Sequence, residues 1–189
     1  IRSAGTETAL LKYIVFRGDI QINEYATPVA STLVGQANAE SAIAVGAVLF
    51  SNTPEYGVNP PTVASFSSRG GTTVNGINRN KPEITAPNGA NTNVDLGGFD
   101  IDGDAFPNFF GTSAAAPHAA AVAALIQQAR NKYYGTGLSP ESIKSLLQNT
   151  AIDMHTPGYD ALSGAGFIQA DAAMGNFANP SPYITGISY

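Results

Sequence analysis

A chain of 189 residues, 43% of them hydrophobic, can bury the core of one globular domain, which excludes a disordered, collagenous or fibrous polypeptide. A net charge of -5, with nine Lys and Arg and no basic cluster, excludes a surface built to neutralise a phosphate backbone, so nucleic acid is not expected as a partner. With zero cysteines there is no disulfide framework, thiolate metal site or cysteine nucleophile, and the count leaves the compartment open.

No apolar run approaches the roughly 18 to 20 residues of a membrane-spanning helix. The most apolar stretch, Ala114 to Ile126, is interrupted by Pro117 and His118. No membrane partner is expected. The chain opens at Ile1 without methionine or the tripartite pattern of a signal peptide, so its natural start is expected upstream.

In chain order, Leu10 to Phe16 (LLKYIVF) is apolar and β-branched enough for a strand, and Ile20 to Ile22 fits a second short one after Gly18. Ala42 to Val48 is a nearly continuous apolar run, as in a parallel strand covered on both faces. Within it, Gly46 suggests close approach by another backbone. From Ser51 to Asn80 the chain is rich in Gly, Pro, Asn and Ser and reads as surface loop, with VASF (63–66) its one short strand candidate.

Pro82 to Ala86 returns to β. A helix is expected from near Ser113 to about Lys132, close against a sheet and buried on most sides because its first turns are alanine-rich, with Pro117 within about the first turn, where its missing amide costs little. A second helix is expected over Ser139 to Asn149, with Ser139 as N-cap, Pro140 at its first position, and Ile143, Leu146 and Leu147 on one face. Residues 1–175 are expected as one unit. Residues 176–189 read as a linker or the start of a following domain, a frayed terminus being the alternative.

Chemistry concentrates in Gly111-Thr112-Ser113-Ala114-Ala115-Ala116-Pro117-His118, where a glycine-led turn delivers a serine to the start of an apolar helix. Glycine permits close backbone approach, and the unpaired amides and positive dipole end of a helix start favour an oxyanion beside Ser113. On these residues alone Ser113 is a nucleophile or a simple N-cap.

The segment GTSAAAPHAAAVAALI resembles the GTSMAAPH-type segment around the active-site serine of subtilases, the subtilisin-like serine proteases. Other blocks resemble the same family in the same order: VGQANAESAIAVGAV, VASFSSRG, KPEITAPNGANT, SPESIKSLLQNTA and LSGAGFIQADAAM, covering roughly residues 31 to 174. The resemblance implies the C-terminal part of an α/β subtilisin-like domain, a mainly parallel sheet with helices on both faces, and makes Ser113 the catalytic nucleophile. It also implies a secreted protein, extracellular or periplasmic.

In subtilases the triad runs Asp, His, Ser along the chain, with DTG-like and HGTHVAG-like segments before the serine, and neither segment occurs here. His118 is five residues beyond Ser113, a helical rotation of about 140° and a rise of about 7.5 Å, so it cannot serve as the base and reads as a scaffold residue. His155, near Asp153 and Asp160, would suit a Ser, Asp, His order, but the G-x-S-x-G elbow is absent and an exposed loop histidine is the expected reading.

Asn23 lies at about the distance of the family's oxyanion asparagine but lacks its Gly-Asn-Gly setting, and it is left out of the site. Asp100, Asp102 and Asp104 surround Gly103. Their spacing favours an Asx-turn over a structural calcium loop, and no cofactor is required for the chemistry. The expected function is peptide-bond hydrolysis through an acyl-enzyme on Ser113, with Asp and His supplied upstream. The alternative is a non-catalytic subtilase-like binding module. Expected partners are a peptide or protein substrate, and an N-terminal half of the same domain or a second copy of the chain.

Overall fold

The computed structural model describes residues 5, 12–15, 21–23, 30–95, 97 and 99–178. Its strands are β1 (Val45–Leu49), β2 (Thr73–Val74), β3 (Ile77–Asn78) and β4 (Ile84–Asn88), and its α-helices are α1 (Thr112–Tyr134), α2 (Pro140–Asn149) and α3 (Ala170–Gly175). β1 and β4 pair in parallel, from Val45 opposite Ile84 to Leu49 opposite Asn88. The Thr85 amide donates to the Gly166 carbonyl and the Ile168 amide to the Thr85 carbonyl, which lays residues 166–168 along β4.

The continuous apolar run of β1 has the expected consequence, because both of its faces are covered. Ala47, Ile84 and Ala86 pack with Ala115, Ala119 and Ile126 of α1, with Ile143 and Leu147 of α2, and with Ala173 of α3. Val48, pointing the other way, packs with Met154 and Phe167, flanked by Val63 and Ile152. The fold is thus α/β with a parallel sheet, and the three described helices gather on the Ala47 face.

Both strands begin later than the sequence suggests. Ahead of β1 one backbone bond remains, from the Glu83 amide to the Ala44 carbonyl at 2.9 Å, and side chains serve the rest: the Glu83 carboxylate accepts the Ala44 amide at 2.7 Å, and the buried Lys81 ammonium donates to the Ala42 carbonyl and to Glu83. Pro82 has no amide to give to a ladder, and β4 starts two residues on. Gly46 is approached closely, but by side chains: a Cβ there would lie 2.9 Å from Thr85 Cγ2 and 3.1 Å from Ser67 Oγ.

VASF contributes a single antiparallel bridge, Val63 to Val48, and not a strand. The chain turns back at once, with the Ser67 amide donating to Ala64 and Ser67 Oγ accepting from the Ala47 amide. Within the expected loop 51–80 lies the hairpin of β2 and β3, turning on Asn75 and Gly76 at φ 50° and 76°. Of the strand expected over 10–16, only 12–15 are described and belong to no regular element; likewise 21–23, while Ile20 lies outside the described residues.

α1 begins at an N-cap glycine, Gly111, and ends at Gly135, left-handed at φ 70°, whose amide donates to Asn131. Two expectations for this helix need correcting. Pro117 is its sixth residue, beyond the first turn, so the Ser113 carbonyl loses its helical donor. The helix is also not buried on most sides: Ala116, Pro117, Ala120, Ala121, Ala124 and Leu125 are exposed, because the sheet covers one face only.

In α2, Ser139 Oγ accepts the Ser142 amide at 3.2 Å and Pro140 leads the helix, as its sequence dictates. Gln127 fastens the connection from α1 by donating to the Leu138 carbonyl and accepting its amide. Residues 179–189 lie outside the described residues, and with them most of the segment expected as a linker or the start of a following domain.

Candidate active site

The site grows from the place where β4 ends and α1 begins. After Asn88, residues 89–92 run antiparallel to 107–109, the Gly89 amide donating to Phe109 and the Phe109 amide to Ala90. Asn108 locks this ribbon through Nδ2, which donates to the Gly89 carbonyl and to Asn91 Oδ1. Gly89, at φ 77°, must be glycine, since a Cβ there would stand 2.9 Å from the Phe110 ring. Chain direction into Gly111 is therefore set by packing before the helix starts.

Gly111 sits at φ 105°, ψ 171° and caps α1 with backbone alone. The Ala114 and Ala115 amides both donate to its carbonyl. Ser113 is the second helical residue and is exposed, and the N-cap position belongs to Gly111. The amides of Thr112 and Ser113 lie in the turn where a helix offers no carbonyl partner. A Cβ at position 111 would make only ordinary contact, 3.7 Å from the Ser113 amide nitrogen, so the φ and not a lack of space calls for glycine here. An exposed hydroxyl beside an open amide at a dipole's positive end is an arrangement that can attack a carbonyl and hold the resulting oxyanion.

His118 Nδ1 lies 2.8 Å from the Ala114 carbonyl. A carbonyl only accepts, so Nδ1 carries the proton and donates, which is the scaffold role expected of this ring. His155 is exposed, in a loop at φ 55°. The neighbouring acids are engaged in turns: Asp153 Oδ2 accepts the Gly158 amide at 2.7 Å, and Asp160 accepts the Leu162 and Ser163 amides and the Ser163 hydroxyl. Partial burial pushes the Asp160 carboxyl up, but those bonds and the His155 charge together hold it below the ordinary carboxylate value. Asn23 is exposed and in no regular element.

The exposed Asp100, Asp102 and Asp104 bring carboxylate oxygens within 4.8 Å of one another. Asp100 accepts the Gly103 and Ala105 amides at 2.6 and 2.9 Å, and Asp104 accepts the Phe106 amide at 2.9 Å. The amides of Ala105 and Gly103 hold the Asp100 carboxyl below its ordinary value. Three ligands fall short of the six to eight oxygens that calcium takes, and turn formation accounts for two of the three aspartates. A cavity of about 530 Å³ adjoins this turn, lined by Phe50, Tyr56, Pro87, Asn91, Asp102 and Phe167.

Asn88 is the site residue that the sequence does not mark. It is fully buried, and its Oδ1 accepts the Gly111 amide at 3.3 Å. Only its place at the end of β4, next to the start of α1, reveals it.

Fold and site together define an α/β protein in which a helix docked on a parallel sheet carries an exposed serine at its second residue. The chain belongs to the subtilase family, whose sequence profile matches residues 2–166. It is 33% identical over 152 residues to serine protease AprX of Bacillus subtilis (strain 168), covering 76% of this chain and 32% of that protein. To fervidolysin of Fervidobacterium pennivorans it is 32% identical over 123 residues, 59% of this chain and 16% of that protein.

Among solved structures, a lanthipeptide protease superposes with a TM-score of 0.56 at 22% identity, over 75% of this chain and 43% of that one. The crystal structure of fervidolysin, a keratinolytic enzyme related to subtilisin, superposes with a TM-score of 0.51 at 27% identity, over 80% and 21% of the two chains. The chain therefore spans about a sixth to a third of the length of these curated relatives. It corresponds to part of a subtilisin-like catalytic domain. No helix among the described residues is long and apolar enough to cross a membrane.

Proposed function

We propose that Ser113 is the nucleophile of a serine endopeptidase whose histidine and aspartate come from polypeptide preceding these residues. The observation that carries this reading is that Gly111 occupies the cap, which leaves the Ser113 hydroxyl exposed at a helix start without a capping duty. Ser113 Oγ attacks the peptide carbonyl while its proton passes to the histidine. The Ser113 amide donates to the oxyanion, and the acyl-enzyme forms as the amine leaves with that proton. The substrate is a peptide or protein, no cofactor takes part, and secretion follows from the kind of protease proposed.

The test is Ser113→Ala in the full-length protein. In proteases of this type the nucleophile and base act as a unit worth on the order of 10⁶ in kcat, whereas losing a cap costs about 1 kcal/mol of stability. Lost turnover with an unchanged melt is expected. A lowered melt with unchanged hydrolysis would overturn the assignment. A non-catalytic module is the second reading, favoured by one observation: His118 is committed to the Ala114 carbonyl and His155 sits in an exposed loop. The encoding gene decides between the two, since an open frame without DTG-like and HGTHVAG-like segments ahead of Ile1 supports the module.

A further inference from the structure

We propose that Asn88 is a positioning residue for the nucleophile turn, acting through its side-chain carbonyl on the Gly111 amide; the inference rests on Ser113 being the nucleophile. Asn88 is the last residue of β4, its side chain is 0% exposed, and it stands where the sheet hands over to the helix. Gly111 N–H can only donate, so the amide group of Asn88 must present Oδ1 to it, at 3.3 Å. That orientation leaves Nδ2 buried without a partner among the described residues.

A buried amide with one end unpaired is disfavoured against an apolar residue of the same size, unless the other end does something an apolar residue cannot. What Oδ1 does is hold the Gly111 amide, two residues ahead of Ser113. Gly111 has no Cβ and sits at φ 105°, so neither rotamer preference nor side-chain packing holds its peptide plane. The ribbon of 89–92 and 107–109 brings the chain to this point, and the Ala114 and Ala115 amides grip the Gly111 carbonyl from the helix side. Asn88 grips the amide of the same residue from the sheet side. With both ends held, the Thr112 to Ser113 segment keeps its aim on the attacked carbonyl.

The test compares Asn88→Ala, Asn88→Asp and Ser113→Ala in the full-length protein, by steady-state kinetics on a peptide substrate, rate of labelling with a fluorophosphonate, and thermal melts. Asn88→Ala should lower kcat and the labelling rate by about 10- to 100-fold with KM unchanged, the scale of a misplaced reacting group. Asn88→Asp keeps an oxygen toward Gly111 and, held neutral by burial, should recover most of the loss. Folded Asn88→Ala protein with full kcat overturns the proposal while an inactive Ser113→Ala leaves the nucleophile standing. If Ser113→Ala retains turnover, both readings fall together. Should Asn88→Ala not fold, Asn88→Asp decides: folded protein as inactive as Ser113→Ala overturns the role of Oδ1.

Discussion

At the scale of single residues, Gly111 holds two duties at once, a φ of 105° and the backbone cap of α1 just before Ser113. Gly111→Ala should therefore reduce stability by about 1 to 3 kcal/mol through backbone strain. It should reduce kcat beyond what the unfolded fraction explains, because relaxing the φ at residue 111 re-aims the Thr112 to Ser113 segment that follows it. Kinetics on protein that calorimetry shows to be folded separates the two effects. His118→Ala gives the contrasting result: it removes one bond to the Ala114 carbonyl, worth about 1 kcal/mol, and activity should fall only in step with the melt. The octet around Ser113 is legible in sequence because glycine, serine and small residues follow one another within a single turn. Asn88 is not, since it meets Gly111 across 23 residues and only the pairing of strand end with helix start brings them together.

At the scale of elements, the join of β1 and β4 depends on a buried ion pair. Lys81 and Glu83 are 2% and 5% exposed in their side chains, and their atoms also serve the Ala42 carbonyl and the Ala44 amide. Lys81→Met should cost about 3 to 5 kcal/mol because Glu83 is left charged and unpaired, and adding Glu83→Leu should restore much of that loss. Chemical denaturation of the single and double variants measures this; equal stability of the two would count against it. Tyr159 donates to the Lys81 carbonyl at 2.8 Å, and its hydroxyl is raised from 10.0 to about 12, first by burial, then by the charges of Glu83 and Asp160. A raised folded value means stability is intact below pH 10, where the unfolded phenol is still protonated, and is lost as pH climbs toward 12. Melts across that window should fall steeply for the parent and less for Tyr159→Phe; identical slopes would show that another group titrates. The hairpin at Val74-Asn75-Gly76-Ile77 is missed in the sequence reading, because its short strands hide in a loop-like composition, although Asn-Gly favours the left-handed pair the turn adopts. The late start of β1 was not readable, because it follows from Lys81 and Glu83 reaching in from far along the chain.

At the scale of the whole molecule, the feature that most separates this structure from a self-sufficient domain is the outer face of α1. Ala116, Pro117, Ala120, Ala121, Ala124 and Leu125 are exposed along it, Leu125 at 46%, while the opposite face packs on β1 and β4. Alanine-rich faces suit close packing against another element, and the chain corresponds to part of a subtilisin-like domain. The proposal that polypeptide preceding these residues completes the domain puts that polypeptide on this face. A single substitution should then act with opposite signs in two settings. In residues 1–189 alone, Ala120→Glu adds a charge to an exposed apolar surface, so self-association should weaken. In the full-length protein the same carboxylate would be buried without a partner, at a cost of several kcal/mol, and folding should fail or the melt fall sharply. Sedimentation of the short chain and calorimetry of the long one read the two signs independently. If the substitution is neutral in the full-length protein, the outer face of α1 stays in solvent there, and the missing part of the domain must pack somewhere else.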